Sequence, residues 1–196
     1  MATIAPDFPI TRLSAQAYFE SYPESNLLIE LLDGEVIQMA SPNDDHQYVR
    51  TYLTGLLFAE IALKKRGELR HAPTDVQLDE QNVVQPDLFF VAADNPHCQR
   101  IGNKRWVGPP DLCIEILSAT TAKHDKGRKF DLYAQAGVKE YWIVSVEHRS
   151  IEVYVRQGHD LARYDVYGLE DQMQSPLLAE LIFAVVEIFP PQEDKE

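Results

Sequence analysis

A chain of 196 residues with 45% hydrophobic content is long enough to close one real core and gives no reason to expect a second domain. Its 18 Lys and Arg against 31 Asp and Glu leave a formal net charge of −13, which excludes a protein that coats nucleic acid by counterion release; any such contact must come from a local patch. Cys98 and Cys113 are too few for a disulfide framework or a structural zinc site, and neither a leader pattern nor about 18 consecutive apolar residues occurs, so the expectation is a soluble, cytoplasmic protein.

In chain order, residues 11–21 read as a short helix with Ser14 as a possible cap and Ala15, Tyr18 and Phe19 on one side, part of a docking segment over residues 1–25. Residues 27–39 are two apolar segments joined by Asp33-Gly34, the dipeptide that best tolerates the positive φ angles of a tight turn, and predict a β-hairpin. Ser41-Pro42 is expected to open the longest helix, with Asp44 and Asp45 near its positive end and Lys64-Lys65-Arg66 at the other before Gly67. Val49, Leu53, Leu56 and Leu57 form its apolar stripe, and His46 lies close to that stripe, either as a core-edge histidine satisfied by a neighbour or as a site residue.

Residues 68–78 and 83–92, around the polar 79–82, predict a second hairpin, in which Asp87 follows Pro86 at the entry to an apolar strand. Residues 94–110, with Arg100, Lys104 and Arg105, are expected to be an exposed loop, a solvated connector or a phosphate-contacting segment. Residues 110–118 are a nearly unbroken apolar run, a buried central strand with one carboxylate, Glu115, in its middle. Strand alternation puts Cys113, Glu115 and Leu117 on one face and Leu112, Ile114 and Ile116 on the other. An unpaired buried carboxylate costs several kcal/mol, so Glu115 needs a cation, a metal or a raised pKa.

Thr120-Thr121 is expected to cap a helix that Gly137 stops, with Phe130, Tyr133 and Ala134 on one face, Lys126 centred on it, Lys129 at its margin and Arg128 pointing away. Residues 140–146 predict another central strand, paired with 150–155, and residues 163–167 and 177–189 complete the chain before a frayed acidic tail over 190–196.

Asp87 and Glu115 on neighbouring strands, with a helix lysine aimed at them, fit a magnesium site for phosphoryl transfer, since magnesium takes hard oxygen ligands and keeps several waters. The same trio fits a structural ion-pair network. No Gly-x-Ser-x-Gly elbow, phosphate-cradling glycine loop or Cys/His zinc cluster is present, and His124-Asp125 beside Ser118 does not establish the geometry of a hydrolase triad.

The joint pattern of residues 30–35, Pro86-Asp87, residues 110–118, Asp125, Lys129, Tyr133 and residues 136–142 resembles the Uma2 family of "putative restriction endonucleases", also called domain of unknown function 820. That family is placed among the PD-(D/E)XK nucleases. The resemblance implies an α/β (α+β) restriction-endonuclease-like mixed sheet flanked by helices, behind an N-terminal β-hairpin. It implies a magnesium- or manganese-dependent DNA endonuclease with Asp87 and Glu115 as metal ligands and catalytic residues. The half-motif lysine is Leu117 here, and the family pattern implies that Lys129 stands in for it, with Lys126 in reserve. Glu35 and His46 match recurrent family positions and are second-tier candidates. Lys123, Lys126 and Arg128 are the expected nucleic-acid contacts, and a homodimer would suit cutting of two strands. The alternative is a nuclease-fold binding or regulatory module with weak or no catalysis.

Overall fold

The computed structural model describes residues 12–23, 28–117 and 127–191. Helix α1 is Ala15–Ser21, and Ser14 caps it as predicted, its hydroxyl accepting from Ala17 N at 3.2 Å. Strands β1, Ile29–Leu32, and β2, Glu35–Gln38, form the first hairpin. Both turn residues take positive φ, Asp33 at 51° and Gly34 at 79°. A Cβ on Gly34 would lie 2.8 Å from Arg12 Cβ, so the position needs glycine for space as well as for φ.

Helix α2 is Asp44–Ile61. Its cap is Asn43, whose side-chain oxygen accepts from His46 N at 3.0 Å, and not Ser41. Asn43 presents the same kind of acceptor two residues later, and the chain takes helical dihedrals only beyond it. At the other end the helix closes before Lys64-Lys65-Arg66, which lie in the turn leading to Gly67. Val49, Leu53, Leu57 and Ile61 are fully buried, each contributing roughly 1.5–3 kcal/mol of burial.

The predicted second hairpin divides between two sheets. Strand β3, Gly67–His71, pairs antiparallel with β6, Leu88–Ala92, while β4, Asp75–Gln77, pairs antiparallel with β5, Val83–Val84. Residues 72–74 and 85–87 carry the two chain segments from one sheet to the other. The expected loop at 94–110 contains a further hairpin, β7, Gln99–Ile101, and β8, Arg105–Val107. Its polar composition hid this, because pairing comes from β4, which β8 joins in parallel, and from Trp106, whose ring is buried. Strand β9, Leu112–Leu117, is buried throughout and pairs in parallel with β10, Glu140–Ser145. Strands β11, Ser150–Gln157, and β12, Asp160–Tyr167, continue that sheet, and β13, Gln172–Gln174, pairs with β14, Ile182–Ala184, ahead of a 3-10 turn over Val185–Ile188.

Two six-stranded mixed sheets result, one ordered β2-β1-β5-β4-β8-β7 and the other β12-β11-β10-β9-β6-β3. One face of the second sheet, with Leu88, Phe90, Leu112, Ile114, Ile116, Trp142 and Val144, packs on α2 and the C-terminal segment. The opposite face, with Phe89, Cys113, Leu117, Tyr141 and Ile143, packs on helix α3, Arg128–Ala136, and on the inner side chains of the first sheet. Alternation along β9 therefore sorts as predicted. Gly137 ends α3 in the left-handed region, at φ 107°. The proposed Thr120-Thr121 cap, Ser118, Lys123, His124, Asp125 and Lys126 lie outside the described residues. Among the described residues no helix is long and apolar enough to cross a membrane.

Candidate active site

The β6–β9 ladder brings the two acids together. Leu88 stands opposite Ile114 at the end of the antiparallel register, and Asp87, the residue before it, lines the same cleft as Glu115, the residue after Ile114. Asp87 is fixed at this turn by its own carboxylate, whose Oδ2 accepts from Ile116 N at 2.8 Å, one residue past Glu115. The first turn of α2 supplies His46, with Nε2 3.1 Å from the same oxygen. Pro86 fits the position because the ladder starts just beyond it.

Glu115 is only 2% exposed, and helix α3 supplies its partners. The Tyr133 hydroxyl donates to Glu115 Oε1 at 2.6 Å, and the Lys129 ammonium donates to the same oxygen at 3.1 Å. Lys129 and Tyr133 are four residues apart and share one helix face, so both reach the middle of β9. Lys129 is 1% exposed and not marginal, and a second carboxylate holds it: Glu30 Oε1 on β1 is 2.9 Å from its ammonium. That Glu30 oxygen also accepts from Gln85 N at 2.7 Å. Burial, and next to it the Glu115 charge, pushes the Tyr133 phenol well above its ordinary pKa, so the hydroxyl stays a proton donor.

These groups line a small cleft of about 50 Å³ whose walls include His46, Arg50, Gln85, Asp87, Glu115 and Lys129. That volume holds an ion or one or two waters but no nucleotide, so a phosphate would have to approach the mouth. Among the described residues, the carboxylates of Glu30, Glu115 and Asp87 meet Lys129 and His46 here, with Arg50 on the wall. Two carboxylates suit magnesium, which demands few protein ligands and retains water. Among the described residues no group of three or more His, Cys, Asp or Glu side chains is gathered to hold a metal.

The other candidates sit elsewhere. Glu35 is on β2 at the edge of the first sheet, half exposed and 3.2 Å from Arg128, and does not line the cleft. Arg128 does not stand free: it bonds Asp33 at 2.9 Å, Glu35, and the Leu32 carbonyl at 2.9 Å, clamping α3 to the first hairpin. Lys123 and Lys126 fall outside the described residues. Arg100 and Lys104 are exposed on the β7–β8 hairpin, while Arg105 stacks over the Phe19 ring at 4.1 Å. Cysteine chemistry has no footing, since burial pushes the Cys98 thiol up to about 12 and the Cys113 thiol well above its usual value.

Reading the residues one by one missed the roles of Glu30, Gln85 and Tyr133. Glu30 carried the signal that exposed Glu115, a lone carboxylate inside an apolar strand of Ile29, Leu31 and Leu32. Nothing local marks Gln85, whose contribution to Glu30 is a backbone N–H.

The "Putative restriction endonuclease" family model, Uma2, matches residues 15–186. Two Synechocystis sp. proteins are similar: uncharacterized protein slr1290, 25% identical over 156 residues, covering 79% of this chain and 80% of that one, and uncharacterized protein sll1609, 24% identical over 152 residues, covering 74% and 82%. Among solved structures, a "putative nuclease belonging to DUF820" from Anabaena variabilis superposes with a TM-score of 0.75 at 17% identity, covering 90% of this chain and 97% of that one. The fold is thus shared with that structure, mixed α and β as expected, and with the family model spanning both sheets and the cleft between them, the chain belongs to the Uma2 family.

Proposed function

We propose that the protein is a magnesium-dependent endonuclease that hydrolyses phosphodiester bonds in DNA, with Asp87 and Glu115 as the metal ligands and Lys129 as the catalytic cation. The observation that carries this reading is the juxtaposition of Asp87 and Glu115 at one end of the β6–β9 ladder, on a cleft with Lys129 at its inner wall. Magnesium, or manganese in its place, would neutralise charge on the phosphate and make water more acidic. The chain's own residues have definable parts. Asp87 presents Oδ1, since Oδ2 is committed to Ile116 N and His46. Tyr133, held protonated, fixes one Glu115 oxygen. Lys129 supplies a positive charge that can stabilise the developing negative charge of the phosphate or orient the attacking water. The tight cleft keeps out bulk water, which strengthens each of these interactions.

DNA contact in this reading is confined to Lys123, Lys126 and the 100–105 hairpin, with Arg128 mainly occupied by the first hairpin. Binding is then weak and strongly salt-dependent. A homodimer would present two such clefts to two strands.

A second reading, a nuclease-fold binding or regulatory module, is favoured by one observation. Leu117 stands where the family half-motif has lysine, and the cation that replaces it is ion-paired to two carboxylates. The experiment is plasmid nicking with magnesium or manganese by the wild type, Lys129→Ala, and Lys129→Ala with Leu117→Lys. The endonuclease reading expects cleavage by the wild type and partial recovery in the double variant, incomplete because Leu117 is packed in the core. A wild type that binds metal yet never nicks leaves the binding module.

A further inference from the structure

Lys129 is shared. Its ammonium lies 2.9 Å from Glu30 Oε1 and 3.1 Å from Glu115 Oε1, and all three side chains are almost wholly buried. Two carboxylates therefore pull on the Lys129 ammonium from different sides, where solvent screens little. Glu30 is held in place for this pull. Its Oε1 also accepts from Gln85 N at 2.7 Å, and its strand is anchored by the small core of Tyr18, Ile29, Leu31 and Val83. Glu30 belongs to the first sheet and Glu115 to the second, so the lysine is drawn across the gap between the sheets.

We infer that Glu30 is a positioning residue: it draws the Lys129 ammonium partly off Glu115 and so keeps the Glu115 carboxylate able to accept a divalent cation. The inference rests on the metal-site reading above and adds to it a residue that need not touch the metal. Without Glu30, Lys129 closes on Glu115, and a divalent ion must displace a full buried ion pair to bind there. Groups that orient a metal ligand from behind typically alter affinity by about 10- to 100-fold when removed.

The test is calorimetric titration of the full-length chain with manganese, which reads binding independently of cleavage. Glu30→Gln is expected to weaken manganese binding about 10-fold. In a Lys129→Met background the same substitution should cost less than about 2-fold, because the lysine it controls is gone, and two sites that do not share a partner behave independently. An equal loss in both backgrounds would mean that Glu30 acts on the metal directly or by charge alone, and overturns the inference while leaving the metal site standing. Glu30→Asp guards against poor folding of the lysine variant: it keeps the charge and shortens the reach by one methylene. Positioning predicts that it binds manganese as weakly as Glu30→Gln, and retention of wild-type affinity by the aspartate variant overturns it. A wild type that takes up no manganese at all removes the metal-site reading, and the inference with it.

Discussion

Two buried glutamates on adjacent parallel strands meet opposite fates. Glu115 on β9 and Glu140 on β10 are 2% and 1% exposed. Glu140 accepts from Trp142 Nε1 at 2.6 Å, Ser175 Oγ at 2.7 Å and Leu177 N at 2.7 Å, all neutral donors on its own strand and on the C-terminal segment. It works as a latch that fastens that segment to the sheet. Glu115 faces the other side, takes a cation and a phenol, and borders a cleft with a second carboxylate opposite. Burial of a carboxylate is therefore no mark of a site by itself. What distinguishes the two is the charge of the partners and an opening toward solvent, and the partners come from different layers of the fold.

The largest expected effect would break the comparison outright. Glu115→Gln and Asp87→Asn should each abolish measurable manganese binding in calorimetry, while Glu140→Gln should leave affinity unchanged. In metal-free buffer the Glu115→Gln variant should melt at the wild-type temperature or above, because Lys129 retains Glu30 while one of the two buried carboxylates that share it is neutralised. A marked loss of metal-free stability in both Glu115→Gln and Asp87→Asn would make the cleft structural, of the same kind as the latch. Next in size, Lys129→Ala should lower metal-dependent plasmid nicking by about 10²-fold, the range for losing one positioned electrostatic group. Wild-type cleavage by that variant would transfer the role to Lys126.

Glu140→Gln should instead destabilise the fold by about 1–3 kcal/mol in denaturant titration, since an amide cannot accept from all the donors that converge there. The wild type should also show a pH signature from this residue. Burial raises the Glu140 pKa above 4.5, with hydrogen bonds from Ser175, Trp142 and Leu177 opposing the rise. The folded state thus holds its proton more tightly than the unfolded state, and this contribution to stability falls as pH rises from about 4.5 through the raised value, then levels off. Denaturant titrations across that window should show a smaller fall in Glu140→Gln than in the wild type; identical slopes would remove Glu140 as their cause. The smallest effect belongs to Arg128, whose ion pairs with Asp33 and Glu35 are partly solvated. Arg128→Ala should cost under about 1 kcal/mol in the same titration, and a larger loss would give the clamp on the first hairpin a weight that exposed pairs rarely have.

By itself the sequence determined the parts whose physics is local. Asp33-Gly34 specified the first turn because few dipeptides tolerate two positive φ angles. The apolar run of β9 declared a buried strand, and its period of two assigned Glu115 to the same face as Cys113 and Leu117. Gly137 stopped α3, and the pattern of short motifs pointed to the family that the whole-chain comparison shows. The tertiary structure alone decided where strand pairs go. It split one apparent hairpin between two sheets, made a hairpin of a polar loop, and brought Asp87 and Glu115 to one cleft at the end of the β6–β9 ladder. It also decided that Lys129 sits between two glutamates 85 positions apart in the chain, Glu30 and Glu115, because each strand carries its carboxylate on the face turned toward α3. Pairing partners and ion-pair partners are chosen by long-range packing, which no window of neighbouring residues contains.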